Sequence, residues 1–126
     1  MPAHPTIDHY DGDNEYQVGT VIIFGGSREV TMSTQYNDTR VAGVVAARSN
    51  PAHLFPGFDI PVTSHGRAQC KVVGIVHKGD LLVSSRIAGV AVVPSTGGFA
   101  GAIIGKSLCE FSSNHIGTIE IAVGCG

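Results

Sequence analysis

Residues 67–85 read RAQCKVVGIVHKGDLLVSS, and their apolar positions recur at every second residue. Ala68, Cys70, Val72, Gly74 and Val76 fall on one face of an extended chain, and Arg67, Gln69 and Lys71 on the other. That is the alternation of a half-buried β-strand. The polar face turns apolar at Val73 and Ile75, which predicts cover on both sides at that end. His77-Lys78-Gly79-Asp80 carries turn chemistry, and Leu81-Leu82-Val83 then predicts a return strand paired with the first as a hairpin.

Outward from this stretch the same grammar repeats. Tyr16–Phe24 (YQVGTVIIF) predicts a strand, Gly25-Gly26-Ser27 a hairpin turn, and Glu29–Met32 a shorter return strand. Val41–Ala46 is nearly all apolar, as in a strand buried on both faces, with Gly43 in its middle. Ser49-Asn50-Pro51 suits the cap of one helical turn. The segment to Pro61 reads as a long loop packed by its own side chains. Gly89–Val93, Ala100–Leu108 and Thr118–Val123 supply further strands, with a glycine-rich loop at Ser95–Gly98. No stretch holds ten residues of helical periodicity. The expected fold is all-β: a compact barrel or sandwich of eight or nine short antiparallel strands over residues 16–126. Residues 1–15 are polar, with two prolines and the acids Asp8, Asp11, Asp13 and Glu15. They read as a flexible N-terminal arm, either loose or ordered against a neighbouring subunit.

Composition narrows the function classes. The 126 residues suit one domain with a single core. Only 14% of them are charged, against about a quarter in an ordinary globular protein, so part of the surface is expected to be hidden in an assembly. Seventeen glycines and no tryptophan fit many tight turns. A net charge of −2 provides no footprint for nucleic acid and no polybasic patch for a membrane. The N-terminus has neither the basic start nor the apolar core of a signal peptide, and no apolar run approaches a membrane span. Cys70, Cys109 and Cys125 show no CxxC pair and read as reduced, mostly buried thiols.

No catalytic constellation emerges. The six histidines (4, 9, 53, 65, 77 and 115) form no HxH, HxxxH or HExxH, so no metal site is expected, and no cofactor. His4 and His9 lie near Asp8 and Asp11 in the arm, where solvation explains them. Ser64 and His65 are adjacent, and on an extended chain they should point in opposite directions rather than form a hydrogen-bonded couple. Asp80 reads as turn chemistry. Gly105-Lys106-Ser107 lacks the glycine a phosphate loop needs five positions earlier, since Ala stands at 100.

The phrases YQVGTVIIFGG, REVTMST, DTRVAGVVA, NPAHL, GRAQCKVVGIVHKGDLLVSS, IIGKSL and GTIEIAVG follow in this order over residues 16–124. Together they resemble a β-rich module of tailed-bacteriophage virion proteins, especially of cyanobacterial and marine phages, where it forms C-terminal domains of tail fibres and other structural proteins. One departure is Ile75-Val76-His77, where that module usually carries a proline before the turn. A second is that the module here is nearly the whole chain. The resemblance implies a non-enzymatic virion protein, assembled in the host cytoplasm. The expected form is a capsid decoration (cement) protein that forms a homotrimer and binds the major capsid protein or other virion subunits. A tail-fibre or tail-appendage component is the alternative. A self-cleaving intramolecular chaperone fits less well, since the arm has no serine or cysteine and Thr6 is its one hydroxyl besides Tyr10. A carbohydrate-binding knob would use exposed aromatics, with Tyr36, Phe55 and Phe58 as candidates.

The arm (His4–Glu15) and the loop Pro51–Phe58 are the expected contact surfaces, with His4, Ile7, His9, Tyr10, Leu54, Phe55 and Phe58 as contact residues. On that reading, deleting residues 2–15 leaves the β domain folded but loosens its attachment to the particle.

Overall fold

A computed structural model describes residues 4–48 and 55–125. Nine strands run in chain order: β1 (Thr6–Gly12), β2 (Val21–Phe24), β3 (Val30–Met32), β4 (Val41–Val45), β5 (Phe58–Val76), β6 (Leu81–Ser84), β7 (Ala91–Val92), β8 (Ile103–Ser107) and β9 (Phe111–Gly124). The described residues contain no helix, so the fold is all-β as the alternation predicts. The helical turn suggested at Ser49-Asn50-Pro51 lies outside the described residues.

Strand pairing makes one sheet in the order β1-β3-β2-β4-β5-β7-β6-β8-β9, with β5 bonded in addition to β1 and to β9. The sheet therefore closes twice on β5. Its first half completes a ring of β1, β3, β2, β4 and β5, and its second half a ring of β5, β7, β6, β8 and β9. Both rings have one thin parallel seam: Gly12 against Val30 in the N-terminal ring and Val72 against Ala91 in the C-terminal ring. Closure shortens the free strand edges that an open sheet would present, although β1 meets β3 only at Gly12.

Each ring has its own core, and β2 and β4 form the wall between them. Val21, Val41 and Val44 face the C-terminal core, while Ile22, Ala42 and Val45 face the N-terminal one. The ladder slips at Gly43, where Ile22 opposes Gly43 and Ile23 opposes Val41, so Val41 and Val44 share one core and Ala42 and Val45 the other, and VAGVV is buried throughout. Gly43 (φ +148°) lies where β4 presses on β5, and a Cβ there would run into the carbonyl oxygen of Thr63. No L side chain suits either that φ or that space.

The structure departs from the sequence reading at four places. First, Arg67–Ser85 is not a hairpin. The turn forms, with the Asp80 N–H donating to the His77 carbonyl (2.9 Å) and the His77 N–H to Asp80 Oδ2 (2.8 Å). However, β7 lies between β5 and β6, and the long antiparallel partner of β5 is β9, from His65 opposite Gly124 to Val76 opposite Phe111. Alternation reveals which face of a strand is buried, not which strand lies beside it. Second, the apolar turn of the outer face is not covered on both sides, since Ile75 is 66% exposed.

Third, the expected strand Tyr16–Phe24 begins only at Val21. Thr20 N–H bonds back to Gln17 O (3.1 Å), and Gly19 (φ +89°) bridges β4 and β5 through Val45 O and Lys71 N–H. Fourth, the stretch expected to form the arm contributes β1, which runs antiparallel along β5 from Thr6 opposite His65 to Gly12 opposite Phe58. The partner that orders residues 6–12 is this chain's own β5.

Candidate functional site

The seam between β1 and β5 gathers most of the expected contact residues, but on two faces. Ile7, His9 and Asp11 alternate with Asp8, Tyr10 and Gly12, so the two sets point apart. Tyr10 packs on the N-terminal core, and its ring meets Phe24 edge-on, with centroids 5.3 Å apart at 84°. Ile7 is 42% exposed and, with Pro5, Val18, Ala46 and Ala68, lines a shallow apolar groove of about 230 Å³. His4 is exposed, Phe58 is 43% exposed, and Phe55 is half-buried. Leu54 lies outside the described residues.

His9 is not simply solvated. Its Nδ1 lies 3.1 and 2.9 Å from the two carboxylate oxygens of Asp59, whose side chain is only 1% exposed. A buried carboxylate needs such a partner. The pair fastens β1 to β5, while Asp11 ties β1 to the residue before β5 and to the β2–β3 turn, accepting from Gly57 N–H (3.0 Å) and Arg28 Nη1 (3.2 Å). Nothing in the residue spacing pointed to Asp59, because its partner is fifty positions away in the chain.

At the far end of β5, the corner 77–80 is clasped to the start of β9. Glu110 Oε1 lies 3.0 Å from His77 Nδ1, and Oε2 accepts the Lys78 N–H at 2.7 Å. The hydrogen bond to Glu110 raises the His77 pKa above its ordinary value. The Lys78 N–H, followed by His77, lowers that of Glu110.

A third feature opens where the two rings meet. A crevice of about 370 Å³ is lined by Tyr10, Phe24, Arg40, Ser64, His65 and Cys125 among others. Ser64 and His65 do form a hydrogen-bonded couple, Oγ to Nδ1 at 3.2 Å, against the expectation for adjacent strand residues. His65 pairs with both Thr6 and Gly124, and β5 swings from one ring to the other at Gly66 (φ +103°). At that bend the strict up–down alternation lapses. Arg40 grips Asp38 with two parallel bonds, Nε to Oδ1 (3.1 Å) and Nη2 to Oδ2 (2.9 Å). These bonds hold the Asp38 carboxyl below its usual pKa.

Two of the thiols are held in their neutral form. Burial pushes Cys70 up to about 12 and Cys125 up to about 11, and Cys125 Sγ donates to Ile104 O. Among the described residues no group of three or more His, Cys, Asp or Glu is placed to hold a metal ion.

No protein-family model matches the chain. No curated protein matches it either. A solved structure, the head fibre gp8.5 N base of bacteriophage phi29, aligns over 98% of this chain and 98% of that one, with 11% sequence identity and a TM-score of 0.47. At that score and identity, the likeness carries no argument about what this chain does.

Proposed function

We propose that this chain is a non-enzymatic structural protein of a tailed-phage virion, working as a capsid decoration protein that assembles with itself and with other virion subunits. The observation that carries this reading is where the virion-like phrases fall. VAGVVA is the wall shared by the two cores, GRAQCKVVGIVHKGDLLVSS runs from the bend of β5 through β6, and GTIEIAVG is the part of β9 that pairs with it. The resemblance thus follows the skeleton of the fold rather than one loop. The shortage of charge, and the apolar groove that Ile7 and Val18 line together, support an assembled state.

The contact surface in this reading is the outer face of β1 with Ile7 and His9, together with His4, Phe55 and the exposed Phe58, which stands opposite Gly12 at the start of β5, and the self-assembly is a homotrimer. Tyr10 contributes by holding β1 down rather than by touching a partner. A tail-fibre component would use the same surface on a different part of the particle.

Co-sedimentation of the purified chain with particles lacking it tests the proposal. The expected result is saturable binding to heads, lost in an Ile7→Asp, Phe58→Asp double variant that keeps its fold. Binding to tails alone would favour the fibre alternative, and no binding to any particle would overturn the reading.

A further inference from the structure

We propose that the crevice between Tyr10, Phe24, Arg40 and the Ser64–His65 couple binds a neutral saccharide unit, a role separate from any attachment of the chain to a particle. Its volume of about 370 Å³ falls within the range of about 300–1,000 Å³ typical of small-molecule sites. More telling is the chemistry of its walls. β2 buries three of its four residues and leaves the fourth, Phe24, 45% exposed. Tyr10 packs against that ring at 84°, with centroids 5.3 Å apart, which restrains it, and both rings belong to the crevice lining. The C–H face of a pyranose ring fits such a surface, because it is apolar while the rim of the same ring is hydroxylated.

The polar side matches that rim. Asp38 takes Nε and Nη2 of Arg40, which locks the guanidinium plane and leaves the Nη1 donors for a ligand. Nη1 sits beside the β2–β3 turn, since a Cβ at Gly25 would lie 3.2 Å from it, and so it stands close to Phe24 in the chain. Also in the lining, Ser64 Oγ and His65 Nδ1 are bonded to each other, and a hydroxyl and an imidazole can each give and take hydrogen bonds. Sugar hydroxyls need partners of that kind. Charge decides between sugars: the Arg40 cation is balanced in place by Asp38, so the crevice has no uncompensated positive group to favour an acidic saccharide. The crevice gathers these groups from β1, β2, the segment before β4, and β5.

The test is a titration of the intact chain, followed by ¹H–¹⁵N spectra and saturation-transfer measurements. The probes are the methyl glycosides of glucose, galactose and N-acetylglucosamine, with glucuronate and inorganic phosphate as anions. The expected result is saturable shifts at Phe24, Arg40 and His65 with at least one neutral glycoside, and saturation transfer to its ring C–H protons. Phe24→Leu and Ser64→Ala should each weaken binding about tenfold, the equivalent of one stacking contact or one hydrogen bond. Ile75→Ser, at the other end of β5, should leave it unchanged. Ser64→Ala removes one atom at a half-buried position, so it keeps the test decisive if Phe24→Leu unfolds. Absence of saturable shifts with every neutral glycoside would overturn the proposal. So would shifts confined to residues outside the crevice, or binding of the anions alone.

Discussion

The two rings share a strand and a wall, yet they are held together by different forces. The C-terminal ring encloses an aliphatic core that includes Val72, Val76, Leu82, Ile104 and Ile121, all fully buried, and β5 and β9 zip along its length. The N-terminal ring has a smaller core around Ile22, Val30, Ile60 and Val62, and polar side chains close it. His9 meets Asp59, Arg28 meets Asp11, and Asp13 takes both the Tyr16 hydroxyl and Thr31 Oγ1. Apolar burial has no charge to titrate, whereas the half-exposed Arg28–Asp11 pair contributes little and is screened, and the buried Asp59 carboxylate depends on its His9 partner. The comparison teaches that the N-terminal ring is the part that opens first. It is also the part that presents the proposed contact surface, so assembly would reinforce the weaker half.

The sharpest way to break the comparison is at the wall both rings share. Gly43→Val places a side chain against the Thr63 carbonyl in a conformation reserved for glycine, and neither ring should form. Circular dichroism and a dispersed proton spectrum would show the loss, and a folded variant would mean that β4 is not pressed on β5. Next in size is Ile121→Ala in the larger core, expected to cost about 2–5 kcal/mol in denaturant unfolding. A cost below that range would mean a looser C-terminal ring than the burial implies.

His9→Ala leaves the Asp59 carboxylate buried without its imidazole, a local penalty of about 1–3 kcal/mol. Native-state hydrogen exchange should show it as faster exchange of the β1 amides, with the β5–β9 ladder unchanged. Equal acceleration in both rings would erase the distinction. Deleting residues 2–12 exaggerates the same effect. Against the expectation that removing the arm leaves the domain intact, the truncated chain should lose protection throughout the N-terminal ring, because β1 closes it.

The smallest effect is at the His77–Glu110 clasp, where both groups are exposed. A raised His77 pKa means that its contribution is complete below its ordinary 6.5 and is lost as pH rises through the raised value. A lowered Glu110 pKa means a contribution present above its ordinary 4.5 and lost as pH falls through the lowered value. The clasp is therefore strongest between those limits. Following the His77 ring protons through a titration should give a midpoint above 6.5, and Glu110→Gln should move it back down. An unchanged midpoint in that variant would remove the clasp.

Much of this architecture was legible before any coordinates. VAGVV announced a strand buried on both faces, and Gly25-Gly26 announced the turn between β2 and β3, because burial and positive φ leave marks in composition. β1 left no such mark. Its first four residues are exposed, so no hydrophobic period betrays it, and what makes it a strand is the waiting edge of β5. The order of strands was equally hidden, since a 19-residue strand that serves two rings looks locally like an ordinary hairpin arm. The Ser64–His65 couple was missed for a related reason: the alternation rule assumes a straight strand, and β5 bends at Gly66. Phe24 and Arg40 belong to unremarkable phrases of the sequence, and only folding brings them to one crevice.

The central claim is that this chain works in an assembly of its own copies, and light scattering on the purified protein, with denatured mass spectrometry of the same sample, tests it most directly. The account predicts an intact 13.0 kDa chain with a solution mass three times that value. An intact chain that stays monomeric at every concentration would contradict it.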